Sequence, residues 1–320
     1  MSDHDATIRP ARRETFRHEA MLYGDLDQFV ARVVTFVEGA RAAAEPVLVA
    51  VAAPKIDLLR AAMAGNGDGV EYVDMVDLGA NPARIIPAWR QFVDERSPEG
   101  RPVRGIGEPI WAGRSPAALA ESQRHEELLN LALRADPLWL LCPYDTSSLE
   151  SAVIHEARCS HPWVDDGDGE SVSAEYRGLD PALHPFTGEL PAAPVGAFAM
   201  DFDEDSLPAV RRHLSRHAAS MGLSVSRCVD LALAGHEVAA NSIEHGGGCG
   251  RLRLWRSGRD LICEIEDAGE ITWPLAGRVL PAPEQPGGRG LYLANQLCDL
   301  VQIRSGPGST TVRIHLHVDG

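Results

Sequence analysis

Basic residues are scarce in this sequence relative to acidic ones. Of its 320 residues, 30 are Lys or Arg and 46 are Asp or Glu, which gives a formal net charge of −16. Proteins that bind nucleic acid nonspecifically need clustered Lys and Arg to neutralise the phosphates. The acidic composition therefore argues against a nonspecific nucleic-acid-binding protein. The acidic balance instead favours partners with basic surfaces.

Long apolar runs are also missing. No segment approaches the roughly 20 apolar residues that span a bilayer, and the N-terminal MSDHDATIRPARRETF has no apolar core of a signal peptide. The six cysteines include no Cys-x-x-Cys pair, which argues against a disulfide framework and against redox chemistry. We therefore expect a cytoplasmic protein that does not bind membranes.

The composition changes strongly once along the chain. Residues 166–196 are rich in Pro, Gly and acids and lack a sustained period, which predicts a linker or covering segment. With 44% apolar residues, the flanking stretches have enough hydrophobic material for two ordinary cores. We therefore predict a first domain at 1–165 and a second domain at 197–320.

The first domain alternates strand-like and helix-like runs. PVLVAVAAP at 46–54 is a short apolar run typical of a strand buried on both faces, and helical spacing follows at 56–65. This alternation predicts a parallel α/β fold. The later runs that repeat it are a strand at 70–78, helices at 82–95 and 115–136, and a strand at 137–145.

The loop after this first inner strand does not resemble a phosphate-binding loop. AAPKID has no glycine that would let backbone amides wrap a phosphate, and no Ser or Thr follows Lys55 to hold magnesium. We therefore interpret Lys55 as an exposed lysine at the start of a helix, with contact to an anion as the alternative.

Several short motifs occur in order between residues 14 and 165: FRHEAMLYGDLDQF, VRGIGEPIWAGRS, RHEELLN, LLCPYD and the pair His161-Pro162. In these motifs the domain resembles the MEDS sensory domain, a predicted ligand-sensing module with an α/β core like that of RecA-type ATPases but without a working phosphate loop. The resemblance implies a small-molecule ligand without naming it. It also implies a pocket near His18 and Tyr23, with packing against the first helix as the alternative role of both.

One segment, HEARCSHP, brings possible metal ligands close together in sequence. The step from His155 to Cys159 suits one helix face, but His161 precedes a proline beyond that helix, and no fourth ligand is evident. We therefore do not predict a metal site from this segment.

Two segments place an acid and an amide four residues apart. They are RHEELLN, with Glu126 and Asn130, and GHEVAANSIEHGGG, with Glu237 and Asn241. Any helix places such residues on one face, so spacing alone cannot separate the two pairs. Glycine-rich segments follow only the second pair closely, since the next glycine after Asn130 is Gly167. We therefore interpret the first pair as ordinary polar positions of an amphipathic helix and the second as a site.

Two features downstream of that second pair predict the walls of a cleft. Apolar and polar residues alternate on both sides of a Ser-Gly turn in RLRLWRSGRDLICEIED. This pattern predicts an antiparallel hairpin whose second strand ends in Asp267. An acid at a strand end can point into a cleft, and the following Gly269 lets the backbone pass close to a flat ring. In the last predicted strand, either Thr310 or Thr311 faces the same cleft.

A third feature predicts a place for phosphate. Gly287, Gly288 and Gly290, with Arg289 among them, precede LYLANQLCDL, an apolar-periodic helix. The N-terminus of such a helix presents free amides and a positive dipole, which favours an anion there.

The order of these elements over residues 197–318 resembles the GHKL ATPase fold, an α/β sandwich, and within it the anti-sigma-factor serine kinases. The resemblance implies ATP and Mg²⁺ as cofactors. It makes Asn241 the magnesium ligand, Glu237 the general base and Asp267 the acceptor for the adenine amino group, with Gly288 to Gly290 in the phosphate lid.

This chain departs from the family's pattern at the glycine motif that follows Asp267. The family usually has a second glycine two residues after the first, whereas Gly269 is followed by Glu270 and Ile271. The loop is therefore stiffer, which predicts weak nucleotide affinity. The lid that follows, ITWPLAGRVLPAPEQPGG, is short and contains prolines.

These observations predict a signal-responsive regulator that binds ATP-Mg. It would sequester a sigma factor or phosphorylate an antagonist protein on serine, and a homodimer remains open. The alternatives are a non-catalytic docking module with a degenerate ATPase fold and a sensor histidine kinase. Against the last, Pro181, Pro185, Pro191 and Pro194 forbid a long acceptor helix in 166–196, and His184 lies between the first two of them. His236 is turned about 100° from its neighbour Glu237.

Overall fold

The computed structural model describes residues 16–63, 69–167, 169–281 and 288–318. They form a seven-stranded sheet with strand order β3-β2-β4-β5-β1-β6-β7 and a five-stranded sheet with strand order β11-β12-β10-β9-β8. The first sheet is parallel except at β7, and the second is antiparallel. The predicted mixed α/β fold class is therefore confirmed. Within the described ranges, no helix is both long and apolar enough to cross a membrane.

The first sheet and its helices occupy the N-terminal half of the chain. Its elements are β1 (Phe16–Tyr23), α1 (Leu26–Ala42), β2 (Val47–Val51), α2 (Ala53–Ala62), β3 (Val70–Asp74), α3 (Met75–Leu78), a short 3-10 helix (Pro82–Arg84), α4 (Ile85–Arg96), β4 (Val103–Gly107), α5 (Pro116–Ala132), β5 (Leu138–Asp145), α6 (Ser151–Ser160), β6 (Trp163–Asp165), β7 (Glu170–Val172) and α7 (Asp180–Leu183).

The apolar run at 46–54 is strand β2, whose five residues are all buried. The strand predicted at 70–78 is shorter than expected, because β3 ends at Asp74 and helix α3 begins at the next residue. The Asp74 carboxylate accepts a hydrogen bond from the backbone N–H of Val76 at 2.9 Å. This N-cap satisfies an amide that a continuing strand would have paired elsewhere.

The segment predicted as a linker contacts both domains. Its first part forms β7, which pairs antiparallel with β6 at the edge of the first sheet. Further along, Phe186 is buried in the core of the second domain, and Arg313 of the second sheet donates a hydrogen bond to the Pro191 carbonyl at 2.7 Å. The segment therefore covers one face of the second sheet as well as joining the domains.

The second domain packs three helices against one face of its sheet. Its elements are β8 (Phe198–Asp203), α8 (Leu207–Ser220), α9 (Val225–His245), β9 (Cys249–Ser257), β10 (Asp260–Asp267), α10 (Arg289–Leu297), β11 (Leu300–Gly306) and β12 (Ser309–His317). Helices α8 and α9 approach closely at Gly235, where a Cβ atom would lie only 2.4 Å from Leu214 Cδ1. Glycine at this position therefore permits the packing that fixes α9 over the sheet.

Candidate functional site

Helix α9 carries the acid and amide of the second motif. Its N-terminus is capped by Ser224, whose side chain accepts from the Arg227 N–H. Glu237 and Asn241, one turn apart, are half-buried on the face that meets α10. In the described part of the chain, neither side chain has a hydrogen-bond partner, so both are available to a ligand.

The start of α10 lies directly against this pair. Gly288 precedes the helix with φ of 80°, a left-handed conformation that glycine adopts without strain. A Cβ atom at Gly290 would lie 3.1 Å from Asn241 Nδ2 and 3.2 Å from Glu237 Cβ. The free amides of the first turn of α10 therefore adjoin the polar face of α9.

Asp267 ends β10 on the other side of the same space. Its two carboxylate oxygens accept hydrogen bonds from the Ser242 hydroxyl at 2.6 Å and from the Gly269 N–H at 2.8 Å. A Cβ atom at Gly269 would lie 2.8 Å from the His245 carbonyl oxygen, so only glycine fits without a shift of the backbone. The carboxylate is thus held in one orientation by α9 and by the loop after β10.

Thr310 lies opposite Asp267 in the register of β10 and β12. Its hydroxyl donates to the Gly269 carbonyl at 3.0 Å, and it lines a cavity of about 210 Å³. Thr311 instead lines a groove on the opposite face of the sheet, beside Arg253 and Glu266. Of the two alternatives left open by the sequence, Thr310 is therefore the threonine that lines the cavity.

The cavity gathers residues that are far apart in the sequence. Those predicted as site residues that line it are Asn241, Asp267, Gly269, Gly288 and Thr310. Glu237 and Gly290 adjoin it through the contact between α9 and α10. Arg289, the first residue of α10, is exposed, and Gly287 lies outside the described residues.

The size and lining of this cavity suit part of a nucleotide. Its volume is below the roughly 300–1,000 Å³ typical of pockets that enclose a whole small ligand. Apolar side chains such as Val238 and Leu291 line it together with the polar groups, which is the surface that a flat base with polar edges requires. An anion would fit beside the N-terminus of α10, which provides amides and a positive dipole.

The first part of the predicted lid, residues 271–281, is here called the lid segment, and it docks on the first domain. Leu275 is buried in the hydrophobic core of that domain. Arg278 donates a hydrogen bond to Glu121 of α5 at 3.3 Å, and Arg304 of β11 donates to the same carboxylate at 3.2 Å. Burial lowers the pKa of Arg278 to about 10, a shift that the Glu121 carboxylate opposes. Sequence patterns gave no sign of these contacts.

The C-terminal end of α10 is also held by the first domain. Asn81 donates from Nδ2 to the Asn295 backbone carbonyl at 3.0 Å. Arg84 donates from Nε to the same carbonyl at 2.9 Å and from Nη2 to the Cys298 carbonyl at 2.8 Å. These donors satisfy carbonyls that the end of a helix leaves unpaired. The helix beside Glu237 and Asn241 is therefore fastened to the first domain at its far end.

Lys55 is not the exposed lysine that we expected. Its ammonium group contacts the Tyr23 hydroxyl at 2.6 Å and the Glu108 carboxylate at 2.5 Å, and the Tyr23 hydroxyl donates to Glu108 at 2.8 Å. Burial raises the pKa of Glu108, whereas Lys55 opposes that shift. The prediction failed because the two partners lie at the ends of strands β1 and β4, and the spacing of residues near Lys55 does not show that the fold brings those strand ends to it.

The interpretation of Glu126 and Asn130 as ordinary polar positions of an amphipathic helix is wrong. Glu126 is 1% exposed and Asn130 is 7% exposed. They contact the two ring nitrogens of His18 on β1, each at 3.1 Å. The face of α5 that carries Glu126 and Asn130 is therefore packed against the first sheet, where His18 provides hydrogen-bond partners for both side chains.

The HEARCSHP segment divides between two environments. Cys159 Sγ lies 3.6 Å from His155 Nε2 on the outer part of the domain, and Glu175 lies near both. His161 is fully buried, and its ring centroid lies 3.9 Å from that of His18 with the two ring planes tilted by 39°. The three residues therefore do not share one site.

Two family models match this chain, one in each half. Residues 17–162 match the family described as MEDS, the "MEthanogen/methylotroph, DcmR Sensory domain". Residues 200–316 match the family described as "Histidine kinase-like ATPase domain". A comparison with curated proteins found no match.

Solved structures similar to parts of this chain include the following two. The RsbU and RsbW domains of Rv1364c from Mycobacterium tuberculosis are 21% identical, with a TM-score of 0.30, over 39% of this chain and 33% of that one. The histidine kinase AdeS from Acinetobacter baumannii is 12% identical, with a TM-score of 0.23, over 38% of this chain and 68% of that one. The match thus spans one third of the mycobacterial chain.

Proposed function

We propose that this chain, in which a MEDS domain precedes a histidine kinase-like ATPase domain, is a signal-responsive regulator that binds ATP with Mg²⁺. In this proposal it is an anti-sigma-type protein that sequesters a sigma factor or phosphorylates an antagonist protein on serine. The nucleotide would bind in the cavity between α9, β10 and α10.

The observation that carries the proposal is the convergence of four features on that cavity. Asp267 is fixed by two donors, and Thr310 lies beside it. The side chains of Glu237 and Asn241, which have no hydrogen-bond partner among the described residues, meet the N-terminal turn of α10. An adenine base needs an acceptor such as the Asp267 carboxylate, a phosphate needs donors such as the first amides of α10, and a metal ion needs an oxygen ligand such as the Asn241 amide. Around this cavity all three kinds of group are present.

Each residue has a role that follows from its chemistry. Asp267 accepts a hydrogen bond from the amino group of adenine, because a carboxylate is an acceptor only. Asn241 offers its amide oxygen to Mg²⁺, which prefers oxygen ligands. The amides that open α10 face the phosphates.

Glu237 is placed to act on a hydroxyl at the same end of the cavity. Bound ATP-Mg supplies a phosphoryl group and neutralises charge on the phosphates. The Glu237 carboxylate would hold an incoming serine hydroxyl and take its proton as the serine oxygen bonds to the γ-phosphorus and the bond from that phosphorus to the bridging oxygen breaks, which releases ADP. The shared helix face keeps this base one turn from Asn241.

Two contacts support a response to the first domain. The lid segment is anchored by Leu275 and by Arg278, and α10 is fastened at its C-terminal end by Asn81 and Arg84. Both elements that border the cavity are therefore held by the sensory domain. A ligand that shifts the first domain would act on the cavity through them.

Titration calorimetry of the full-length protein with ATP and MgCl₂ tests the proposal. We expect one ATP per chain, and we expect Asn241→Ala to remove the dependence of binding on magnesium. Glu237→Gln should leave ATP binding intact but abolish phosphoryl transfer. Glu244→Gln is the matched control, because Glu244 lies on the same helix but is exposed and outside the cavity.

Three results would count against the proposal. Absence of ATP binding to the folded wild type would leave only the docking-module alternative. Binding that is equally dependent on magnesium in Asn241→Ala would remove the metal role of Asn241. Unchanged transfer by Glu237→Gln would remove its role as base.

A further inference from the structure

A buried cluster in the first domain combines two imidazoles, a carboxylate and a thiol. His18 lies on β1, Glu126 on α5, Cys142 on β5 and His161 directly after α6. None of the four is more than 1% exposed. Their nitrogen, oxygen and sulfur atoms lie within 4.8 Å of one another. We call these residues the His-Glu-Cys cluster.

The proton of His18 is assigned by Asn130. Asn130 Nδ2 donates to the Ser160 carbonyl at 2.8 Å, so its Oδ1 is the atom that faces His18 Nδ1 at 3.1 Å. Because Oδ1 only accepts, His18 Nδ1 carries the hydrogen. A neutral imidazole has one N–H, and Nε2 of His18 therefore presents a lone pair to the cluster.

The proton of His161 is assigned in the same way. Its Nδ1 lies 2.8 Å from the backbone carbonyl of Ala157, which can only accept. The hydrogen is therefore on Nδ1, and Nε2 presents its lone pair to the cluster. Histidines that bind metals almost always donate their other ring N–H in this manner, because it fixes the tautomer and the ring orientation.

Several hydrogen-bond acceptors therefore face one another inside the His-Glu-Cys cluster, and there are too few hydrogens to pair them all. Glu126 Oε2 lies 3.1 Å from His18 Nε2 and 3.3 Å from His161 Nε2. Cys142 Sγ lies 3.4 Å from His18 Nε2. Its thiol carries one hydrogen, which can pair with only one of the acceptors, namely the Glu126 carboxylate and the Nε2 atoms of His18 and His161. Glu126 Oε1 and His161 Nε2 have no hydrogen-bond partner among the described residues. Buried polar atoms in this state are costly and require an explanation.

We propose that the His-Glu-Cys cluster binds one divalent transition-metal ion, for which zinc is the best match. Imidazole nitrogen, carboxylate oxygen and cysteine sulfur are the ligands that zinc takes, at about 2.0–2.3 Å in a tetrahedral arrangement. Neighbouring ligands around such an ion are about 3.3–3.8 Å apart. The measured separations of 3.1, 3.3 and 3.4 Å are close to this spacing.

The charges of the cluster also suit a dication. On binding, the metal takes the sulfur lone pair of Cys142, and the thiol proton leaves to solvent. A dication with one carboxylate, one thiolate and two neutral imidazoles has no net charge, so its burial carries no uncompensated charge. Four protein ligands leave no open position, which is typical of a structural site. The ion would fasten α5 and the chain after α6 to strands β1 and β5.

The test is the metal content of the full-length protein without a histidine tag. We expect one zinc ion per chain by mass spectrometry of the metal after dialysis against excess zinc and then metal-free buffer. Cobalt(II) added to the apoprotein should give the visible bands of a tetrahedral site and a thiolate-to-cobalt charge-transfer band. Cys142→Ser should remove the charge-transfer band while the secondary structure by circular dichroism is retained.

Matched variants separate this cluster from other histidines and cysteines. His155→Gln, in the second group of possible ligands, should retain the zinc. Cys263→Ser, a buried cysteine in the other domain, should also retain it. Asn130→Ala removes the acceptor of His18 Nδ1–H and should weaken zinc binding by about 10- to 100-fold.

Two outcomes would overturn the proposal. One is a folded wild-type protein that retains no zinc and gives no cobalt spectrum, in which case the cluster is an ion pair of a carboxylate with a protonated histidine. The other is zinc retained equally by wild type and by the double variant Glu126→Gln, Cys142→Ser, which would locate the metal elsewhere.

Discussion

Glu121 of α5 and Arg278 of the lid segment form a buried ion pair across the two domains, with 3.3 Å between Oε2 and Nη2. Their side chains are 3% and 7% exposed. The same carboxylate contacts Arg304 of β11 and Arg124 of its own helix. One acid of the first domain therefore compensates two arginines of the second domain, and one of these, Arg278, is in the lid segment.

Glu121→Gln should destabilise this contact. Removing one partner of a buried ion pair costs about 3–5 kcal/mol because the remaining charge stays buried without compensation. We expect a loss of about 3 kcal/mol in the free energy of unfolding, measured with denaturant, and faster hydrogen exchange in the lid segment. Glu71→Gln is the control, since its pair with Arg96 is exposed and worth about 0–1 kcal/mol. Unchanged exchange in the lid segment would contradict the anchoring role.

Asp267→Asn should reduce the preference for ATP over GTP. The Ser242 hydroxyl and the Gly269 N–H are both donors to Asp267, and an amide has one oxygen to offer them instead of two. Losing a hydrogen bond to a charged group costs about 1.5–3 kcal/mol, which is roughly a 10- to 100-fold weaker ATP affinity. GTP should be little affected, because guanine presents a carbonyl where adenine has its amino group.

Competition between ATP and GTP on the full-length protein measures this preference. Glu266→Gln is a matched control, because the residue before Asp267 in a strand points to the opposite face. Equal affinities of the wild type for the two nucleotides would contradict the proposed role of Asp267.

Gly269→Ala should disturb the same carboxylate through the backbone. Its Cβ would lie 2.8 Å from the His245 carbonyl oxygen and 2.9 Å from Asp267 Oδ1, so the loop must move. Overpacking of this kind costs about 1–3 kcal/mol of stability. ATP affinity should fall as well, because the Gly269 N–H no longer orients Asp267. Gly306→Ala is the control, since nothing lies within 4 Å of its Cβ position, and an equal effect of both changes would contradict the argument.

The ATPase domain was largely predictable because its signals are local and occur in a fixed order. Each motif is a short pattern, such as Asp267 at a strand end or Gly288 before an apolar-periodic helix. Its local structure depends mainly on residues nearby in the sequence. Alternation also predicts that only one of Thr310 and Thr311 can face the cavity, but it does not say which. That choice depends on the register of β12 against β10, which places Thr310 opposite Asp267.

The first domain was less predictable because its polar groups are satisfied by partners distant in sequence. Glu126 and Asn130 have the spacing of any polar helix face, and their burial follows from His18, more than a hundred residues earlier in the chain. Lys55 similarly pairs with Glu108 at the end of another strand. Periodicity predicts which residues share a helix face, but it does not predict which side chains of the sheet, such as His18, contact that face.

Asp260 and His317 should make stability depend on pH at the edge of the second sheet. The nearby imidazoles of His315, 3.7 Å from the carboxylate, and of His317, hydrogen-bonded to it at 2.6 Å, hold the pKa of Asp260 well below its usual range, and the bond to Asp260 raises the pKa of His317. The carboxylate contribution is present above the unfolded pKa of about 4 and is lost as the pH falls further. The histidine contribution is present below about 6.5 and is lost as the pH rises through the raised pKa.

The difference in unfolding free energy between wild type and Asp260→Asn should therefore be largest between about pH 4 and pH 6.5 and smaller at pH 8. The effect is modest, because His317 is 69% exposed and solvent screens the pair. A difference that stays constant from pH 5 to pH 8 would contradict this prediction.

No histidine of this chain should become phosphorylated, and any transfer should go to a hydroxyl of a separate protein. Histidine kinases hold their acceptor on a long helix before the ATPase domain, whereas the described residues of 166–196 contain no helix except the four-residue α7, which ends at Leu183, directly before His184. His236 neighbours Glu237 on α9 and is turned about 100° from it. Incubation of the pure protein with labelled ATP should leave it unlabelled, and an acid-stable label should appear only on an added antagonist protein. An acid-labile, alkali-stable phosphate on the chain itself would refute the prediction.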